Sequence, residues 1–455
     1  MLMHSFKLKL NSQWAFYALM AMLMLMLFAR HALEVDIPDL LFVGVSVLMV
    51  MSGDRDQVLA VLVMCIPLTM AFSTIYACLA GIVTWTVRYK KQIRVNLSFL
   101  PVLLMLIWEL IHCLQGGFSI KPFVALWIPY LICLLLMWQD VSDIDYPMVV
   151  RCLAVCTVVM CLTLLGMVLK RSGFRISAAF VNMQRLGQAA EEDKAGVFQI
   201  NPNSLGVICT LAISALLQLI TTGRGRRSDL VLALIMVICG ALTTSRTFLL
   251  LLLTMALLFW INQEGGFVKK LRFLLQIVAA ATVSVVILAQ VFPAAIENFI
   301  YRLTVADLSS GRGELFIAYN RFLGEQPKVL LFGVGLMDFG NEVVREYAVA
   351  ANVPHNGIQE ILVAWGIPGL ALTVWFLGAM LRRSGKKLWN RSLLSHVPLL
   401  LLLLKVQLGQ VITSSYTMMA LVFCYLSLAY DFHGKPKAEK NDHLLWQRKN
   451  RAKRI

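Results

Sequence analysis

The chain has 455 residues, of which 59% are hydrophobic and only 15% charged. Water-soluble domains are about 45–50% apolar and about 25% charged, so this composition, with a mean hydropathy of +0.76, excludes a soluble globular enzyme and a disordered chain alike. The formal net charge of +16, from 41 basic and 25 acidic residues, would suit a nucleic-acid partner. Its distribution argues against one, because no basic segment outside the apolar runs is interleaved with stacking aromatics.

A membrane-spanning helix needs about 20 mainly apolar residues. Runs of that kind recur at 13–29, 38–52, 57–87, 97–114, 122–138, 148–169, 204–222, 229–245, 247–262, 271–291, 359–381, 393–408 and 411–430. The first lacks a small-residue cleavage site and another follows at once, so it reads as a span and not a cleaved signal. The run 57–87 is too long for one untilted span; with Pro67 and Ser73 near its middle it reads as two short helices or one broken one. The expectation is an all-α polytopic membrane protein with 12 to 14 transmembrane helices. Residues 1–430 would form a single transmembrane domain and 431–455 a basic tail. The ten cysteines all lie in apolar runs without a CxxC or a Cys/His cluster, which predicts packing residues and neither disulfides nor a zinc site.

Lys and Arg accumulate in cytoplasmic loops. Clusters at Arg88–Arg94, Arg224–Arg227, Lys269–Arg272 and Arg382–Arg391, together with the tail, hold most of the basic residues. Placing them all inside is consistent with alternating spans if both termini are cytoplasmic. Much of the net charge then encodes orientation and attraction to anionic lipid. Two long polar segments fall on the outer face: Lys170–Asn203 and the larger 293–357. The larger carries five basic against seven acidic residues, so it is not a general basic patch.

Five features in these outer regions rise above the background. Thr244-Ser245-Arg246-Thr247 separates two apolar runs that could almost be one, and an outward turn there spares Arg246 the cost of the bilayer centre. Ser310-Gly311-Arg312-Gly313-Glu314 flanks an arginine with glycines, so backbone at Gly311 can approach a ligand while Arg312 forms bidentate bonds to phosphate. The same five residues are also a helix start, and a helix N-terminus itself favours phosphate. Val353-Pro354-His355-Asn356-Gly357 places His355 between Pro and Gly just before a span, where its natural pKa suits proton transfer from an alcohol; Gln359 is four residues on from it. Leu331-Phe332-Gly333-Val334-Gly335 reads as a tight turn, since it lacks the strand and helix of a nucleotide fingerprint. Asn201-Pro202-Asn203 reads as a turn and helix start after a loop holding Arg175, Arg185 and Lys194. There is no DxD pair in the outer loops and no HExxH, so no metal and no cofactor is expected. Arginines with a base and no metal suit a phosphate-bearing substrate reachable from the membrane, and a lipid-linked diphosphate fits.

These features resemble, in order and spacing, the signature block of the O-antigen ligase and O-antigen polymerase superfamily of membrane glycosyltransferases. The block runs from Thr244-Ser245-Arg246 through Ser310-Gly311-Arg312-Gly313-Glu314-Leu315 and Phe332-Gly333-Val334-Gly335. It continues to His355-Asn356-Gly357-Ile358-Gln359-Glu360-Ile361-Leu362 and Gly366-Ile367-Pro368-Gly369-Leu370, covering about 200–380. The resemblance implies a GT-C-like helical fold in a bacterial cytoplasmic membrane. It implies metal-independent transfer of a glycan from undecaprenyl diphosphate to an acceptor hydroxyl of another glycan, with membrane lipid and other polysaccharide-assembly proteins as partners. His355 then matches the acceptor-activating histidine, and Arg246 and Arg312 match the diphosphate-binding arginines. Arg185 and Asn203 match more loosely, and Gly311, Asn356 and Gln359 would complete the substrate site. Pro354 before the histidine and the Leu331–Gly335 phrase tilt the reading toward a polymerase. A ligase acting on a lipid or protein acceptor is the alternative, and a transporter of the same lipid-linked sugar, suggested by Lys405 inside an apolar run, is a third.

Overall fold

The computed structural model describes residues 12–115, 119–176, 179–181, 184–188, 198, 200–263, 266–304, 312–336, 354–384, 393–409 and 415–432. Among these residues the protein is all α-helical, without a strand. The helices are α1 (Ser12–Ala32), α2 (Asp39–Ser52), α3 (Arg55–Leu68), α4 (Ile75–Arg88), α5 (Phe99–Gln115), α6 (Ile120–Met137), α7 (Tyr146–Arg171), α8 (Pro202–Thr221) and α9 (Arg227–Leu242). They continue with α10 (Arg246–Asn262), α11 (Phe267–Val291), α12 (Pro293–Thr304), α13 (Arg312–Glu325), α14 (Pro327–Phe332), α15 (Gly357–Arg383), α16 (Val397–Gln407) and α17 (Ser415–Ala429).

Five helices are long and apolar enough to cross a membrane: Gln13–Ala32 within α1, α7, α8, α11 and α15. Seven shorter apolar helices of 10–17 residues accompany them. Among the described residues the expected 12 to 14 spans are met by length in five cases. In α2, Pro38 and Gly53 bound the helix at 14 residues, about 21 Å at 1.5 Å per residue, against a hydrocarbon core of about 30 Å.

The long run 57–87 divides into α3 and α4. Asp54 and Gln57 form a reciprocal capping box at the start of α3, satisfying two N–H groups that the first turn leaves without helical partners. Thr69–Thr74 turn the chain, and Arg88 at the end of α4 donates to the carbonyls of Met51 and Gly53, so the two helices fold back on each other. Every residue from Gln57 to Leu68 is buried, against α7 and α17. Most of α8 is buried too, whereas α11 lies at the periphery. Exposed leucines and valines on α11, such as Leu275 and Val283, form an apolar surface that water would not tolerate as a large patch.

At Gly366 the backbone of α15 leaves the helical region, with φ 65° and ψ −164°. Pro368 two residues later has no N–H, so the carbonyl of Ala364 loses its i+4 donor. The glycine pair of residues 331–335 fills the gap. Val334 N donates to Val363 O at 2.9 Å and Gly335 N to Ala364 O at 2.8 Å. Instead of closing a tight turn, the segment lies along the broken helix and supplies the donors that the break removes. From α5, Trp108 Nε1 donates to the carbonyls of Phe332 and Trp365. The buried carboxylate of Glu109 accepts from Trp365 Nε1 at 2.6 Å and from Leu336 N.

Candidate functional site

A cavity of about 580 Å³ opens at one end of the bundle. It is lined by Arg185, Asn203, Arg246, Arg312, His355, Asn356 and Gln359, so of the eight expected site residues seven meet in one place. Gly311 lies outside the described residues; the adjacent Gly313 lines the cavity. Arg302, Asn201 and Gln407 join the lining. Sequence reading passed over Arg302 as one more charge of the large polar segment. Its place in the last turn of the strongly amphipathic α12 offered no signal beyond an ordinary surface cation.

Local structure explains the convergence. Asn201 caps α8, its side chain accepting from Asn203 N at 2.9 Å with Pro202 in the first turn. Ser245 caps α10, accepting from Phe248 N, and that cap makes Arg246 the first helical residue. Thr244 before it adopts a left-handed φ of 47°, which turns the chain sharply between α9 and α10. Asn356 caps α15, accepting from Ile358 N at 3.0 Å and Gln359 N at 3.2 Å, which holds His355 just outside the helix. Arg312 is the first described residue of α13 and lines the cavity. The N-terminal turns of α8, α10 and α15 border the cavity too, and their dipoles add positive potential.

Side chains stitch these ends together. Asn203 Oδ1 accepts from Ser245 Oγ at 2.8 Å and from Arg185 Nη2 at 3.2 Å. Arg185 Nε donates to Thr243 O at 2.8 Å, tying the loop before α8 to the α9–α10 turn. Arg246 donates to the carbonyl of Arg302, and Arg312 Nη1 to Leu408 O at 2.8 Å. Gln359 Nε2 donates to Phe316 O and Asn320 Oδ1, each at 2.9 Å, fixing α15 against α13. His355 is half-buried, and among the described residues its ring makes no hydrogen bond.

The electrostatics are one-sided. Four guanidiniums line the cavity, and no Asp or Glu does so among the described residues. Burial, and then the charges of Arg302, Arg312 and Arg246, bring Arg185 down to about 10. Burial and the neighbouring arginines also lower Arg302 and Arg312. Each remains charged at neutral pH, at a cost that a bound anion would relieve. Burial first, and the Arg312 charge second, depress His355 below its ordinary 6.5, so its ring is neutral at pH 7 and can accept a proton. No cluster of three or more metal-ligating side chains is found among the described residues.

No family model matches the chain, and no curated protein matches it.

Proposed function

We propose that the protein is a membrane glycosyltransferase that polymerises repeat units carried on undecaprenyl diphosphate. The observation that supports this reading is the cavity in which four arginines, three helix N-termini and one histidine meet with no carboxylate among the described residues. Such a site calls for an occupant bearing more than one negative charge, and a diphosphate supplies it with geometry suited to bidentate guanidinium bonds. Arg246, Arg312, Arg302 and Arg185 hold the diphosphate, and the N-terminal turn of α10 adds backbone donors. The acceptor hydroxyl oxygen attacks the anomeric carbon from the face opposite the diphosphate. The carbon–oxygen bond to the diphosphate breaks, and its electron pair leaves with the carrier. His355, neutral and close to Arg312, takes the hydroxyl proton. The fixed cations act where charge grows on the leaving group, which is where preorganised electrostatics accelerate a reaction most.

In this reading the bundle is GT-C-like and sits in a bacterial cytoplasmic membrane, with both termini cytoplasmic and the arginine cavity on the outer face. Its partners are the lipid-linked donor, the acceptor glycan, membrane lipid and other polysaccharide-assembly proteins. Lys405 fits it too: buried in α16, its Nζ donates to Thr417 Oγ1 at 2.7 Å and lies over the Tyr416 ring, so it is held in a structural pair and does not need a transport cycle to account for it.

The test is a gel of surface polysaccharide and lipid-linked intermediates from cells carrying wild type or His355→Ala, Arg246→Ala or Arg312→Ala. Polymer should disappear at unchanged membrane abundance, with single repeat units accumulating; loss of a general base alone costs about 10²–10⁴ in rate. Long chains accumulating on the carrier would identify a ligase. Normal polymer in all three variants would overturn the site.

A further inference from the structure

A second cavity, of about 670 Å³, lies at the other end of α15. That helix is capped by Asn356 in the arginine cavity and, past its break at Gly366, ends at Arg383 in this one. Arg55, Lys91, Arg94, Arg383, Trp138 and Gln139 contribute to its walls. Its volume falls in the range of small-molecule sites, about 300–1,000 Å³.

The charges here do not cancel internally. Of the two carboxylates in the wall, Asp143 pairs with Arg55 at 2.7 Å, and Asp140 Oδ1 accepts from Ser142 N and Ser142 Oγ. Both acids are thus committed to local partners, and Arg55 is neutralised. Lys91, Arg94 and Arg383 are exposed residues of the wall, and their side chains have no ion-pair or hydrogen-bond partner among the described residues. Among the described residues the wall thus keeps three cations unpaired while its two acids are already engaged, and a bound anion is what would neutralise them.

We propose that this cavity is a second anion site, which takes a phosphate group through Lys91, Arg94 and Arg383. The phosphate comes either from the headgroup of an anionic phospholipid or from a soluble phosphate compound. The inference stands on this cavity alone and does not depend on the glycosyltransferase reading.

The test is isothermal titration of the full-length protein in uncharged detergent with two probes: inorganic pyrophosphate and short-chain phosphatidylglycerol. Arg94→Gln/Arg383→Gln should weaken binding of at least one probe about tenfold or more, the scale of losing one charge-assisted contact. Arg246→Gln/Arg312→Gln should leave that binding event in place. Lys91→Gln, a single substitution at an exposed position of the wall, should weaken the same event, and it carries the test if the double arginine variant does not fold. Loss confined to pyrophosphate identifies a soluble ligand, and loss confined to phosphatidylglycerol identifies a lipid. If wild type binds neither probe, or if the folded variants bind both as wild type does, no such site exists.

Discussion

His355 and Arg312 make the sharpest statement at the scale of single residues. Arg312 is the second cause, after burial, of the depressed His355 pKa, so the two are electrostatically coupled. Because the folded value lies below 6.5, the ring stays neutral as pH falls to 6.5 and takes up its proton only below that. Arg312→Gln should raise the midpoint toward 6.5, whereas Arg312→Lys should hold it down. Titration of ¹³C-labelled histidine by NMR reads this directly and needs no activity; equal midpoints in the two variants would show that the Arg312 charge does not reach the ring. Arg246, Arg312 and His355 were legible in sequence because each interrupts apolar or glycine-rich surroundings where a charge needs a reason. Arg302 was not, because a cation on an amphipathic helix has an ordinary explanation. What gives it a role is the carbonyl contact with Arg246, 56 residues away, and such a contact leaves no mark in the local sequence.

At the scale of elements, the break in α15 and the strap laid along it hold the helix whose capping residue follows His355. Gly333 and Gly366 both have φ values and extended ψ values open essentially to glycine alone, at φ 78° and 65°. A Cβ on Gly333 would lie 2.3 Å from Ala364 O, and one on Gly366 2.6 Å from Leu331 O. Gly333→Ala or Gly366→Ala should therefore destabilise the protein by at least about 1–3 kcal/mol. Gly324→Ala, where a Cβ meets nothing within 4 Å, should be neutral or slightly stabilising in a helix. Melting temperatures in detergent separate the three; a Gly333→Ala protein as stable as Gly324→Ala would mean that the strap is not packed on the helix. Glu109→Leu should also destabilise, by about 1–3 kcal/mol for each donor it strands, here Trp365 Nε1 and Leu336 N. Hydropathy hid this arrangement: 359–381 reads as one uninterrupted apolar run, and the donors that repair the break come from residues about 30 positions earlier. The helix start at Asn201 was visible, because a side-chain acceptor before an apolar run acts locally; the caps at Ser245 and Asn356 emerge only in the fold.

At the scale of the whole molecule, composition was enough to establish an all-helical apolar bundle, and it overstated how many helices have full spanning length. Apolar runs were marked out by hydropathy alone, whereas the folded helices stop where Pro, Gly and capping residues end them. The ties across the bundle are polar and nonlocal. Gln218 in α8 accepts from Tyr146 Oη of α7 and donates to Leu394 O and Ser427 Oγ, joining α7, α8 and α17 at the end opposite the arginines. The proposed orientation turns this two-ended arrangement into a labelling experiment. Nine of the ten cysteines are buried and Cys113 is half-buried, so the unmodified chain should react weakly with a membrane-impermeant maleimide. Lys328 on α14 is exposed on the arginine-cavity side, and Ser228 at the start of α9 is exposed at the other end. In intact cells, or in spheroplasts if an outer membrane blocks the reagent, Lys328→Cys should label at once. Ser228→Cys should label only after permeabilisation, since the basic loop Arg224–Arg227 beside it belongs inside. The reverse pattern would put the four arginines in the cytoplasm, where a glycan already moved across the membrane could not reach them. The transfer proposed here would then have to act on a donor still facing inward.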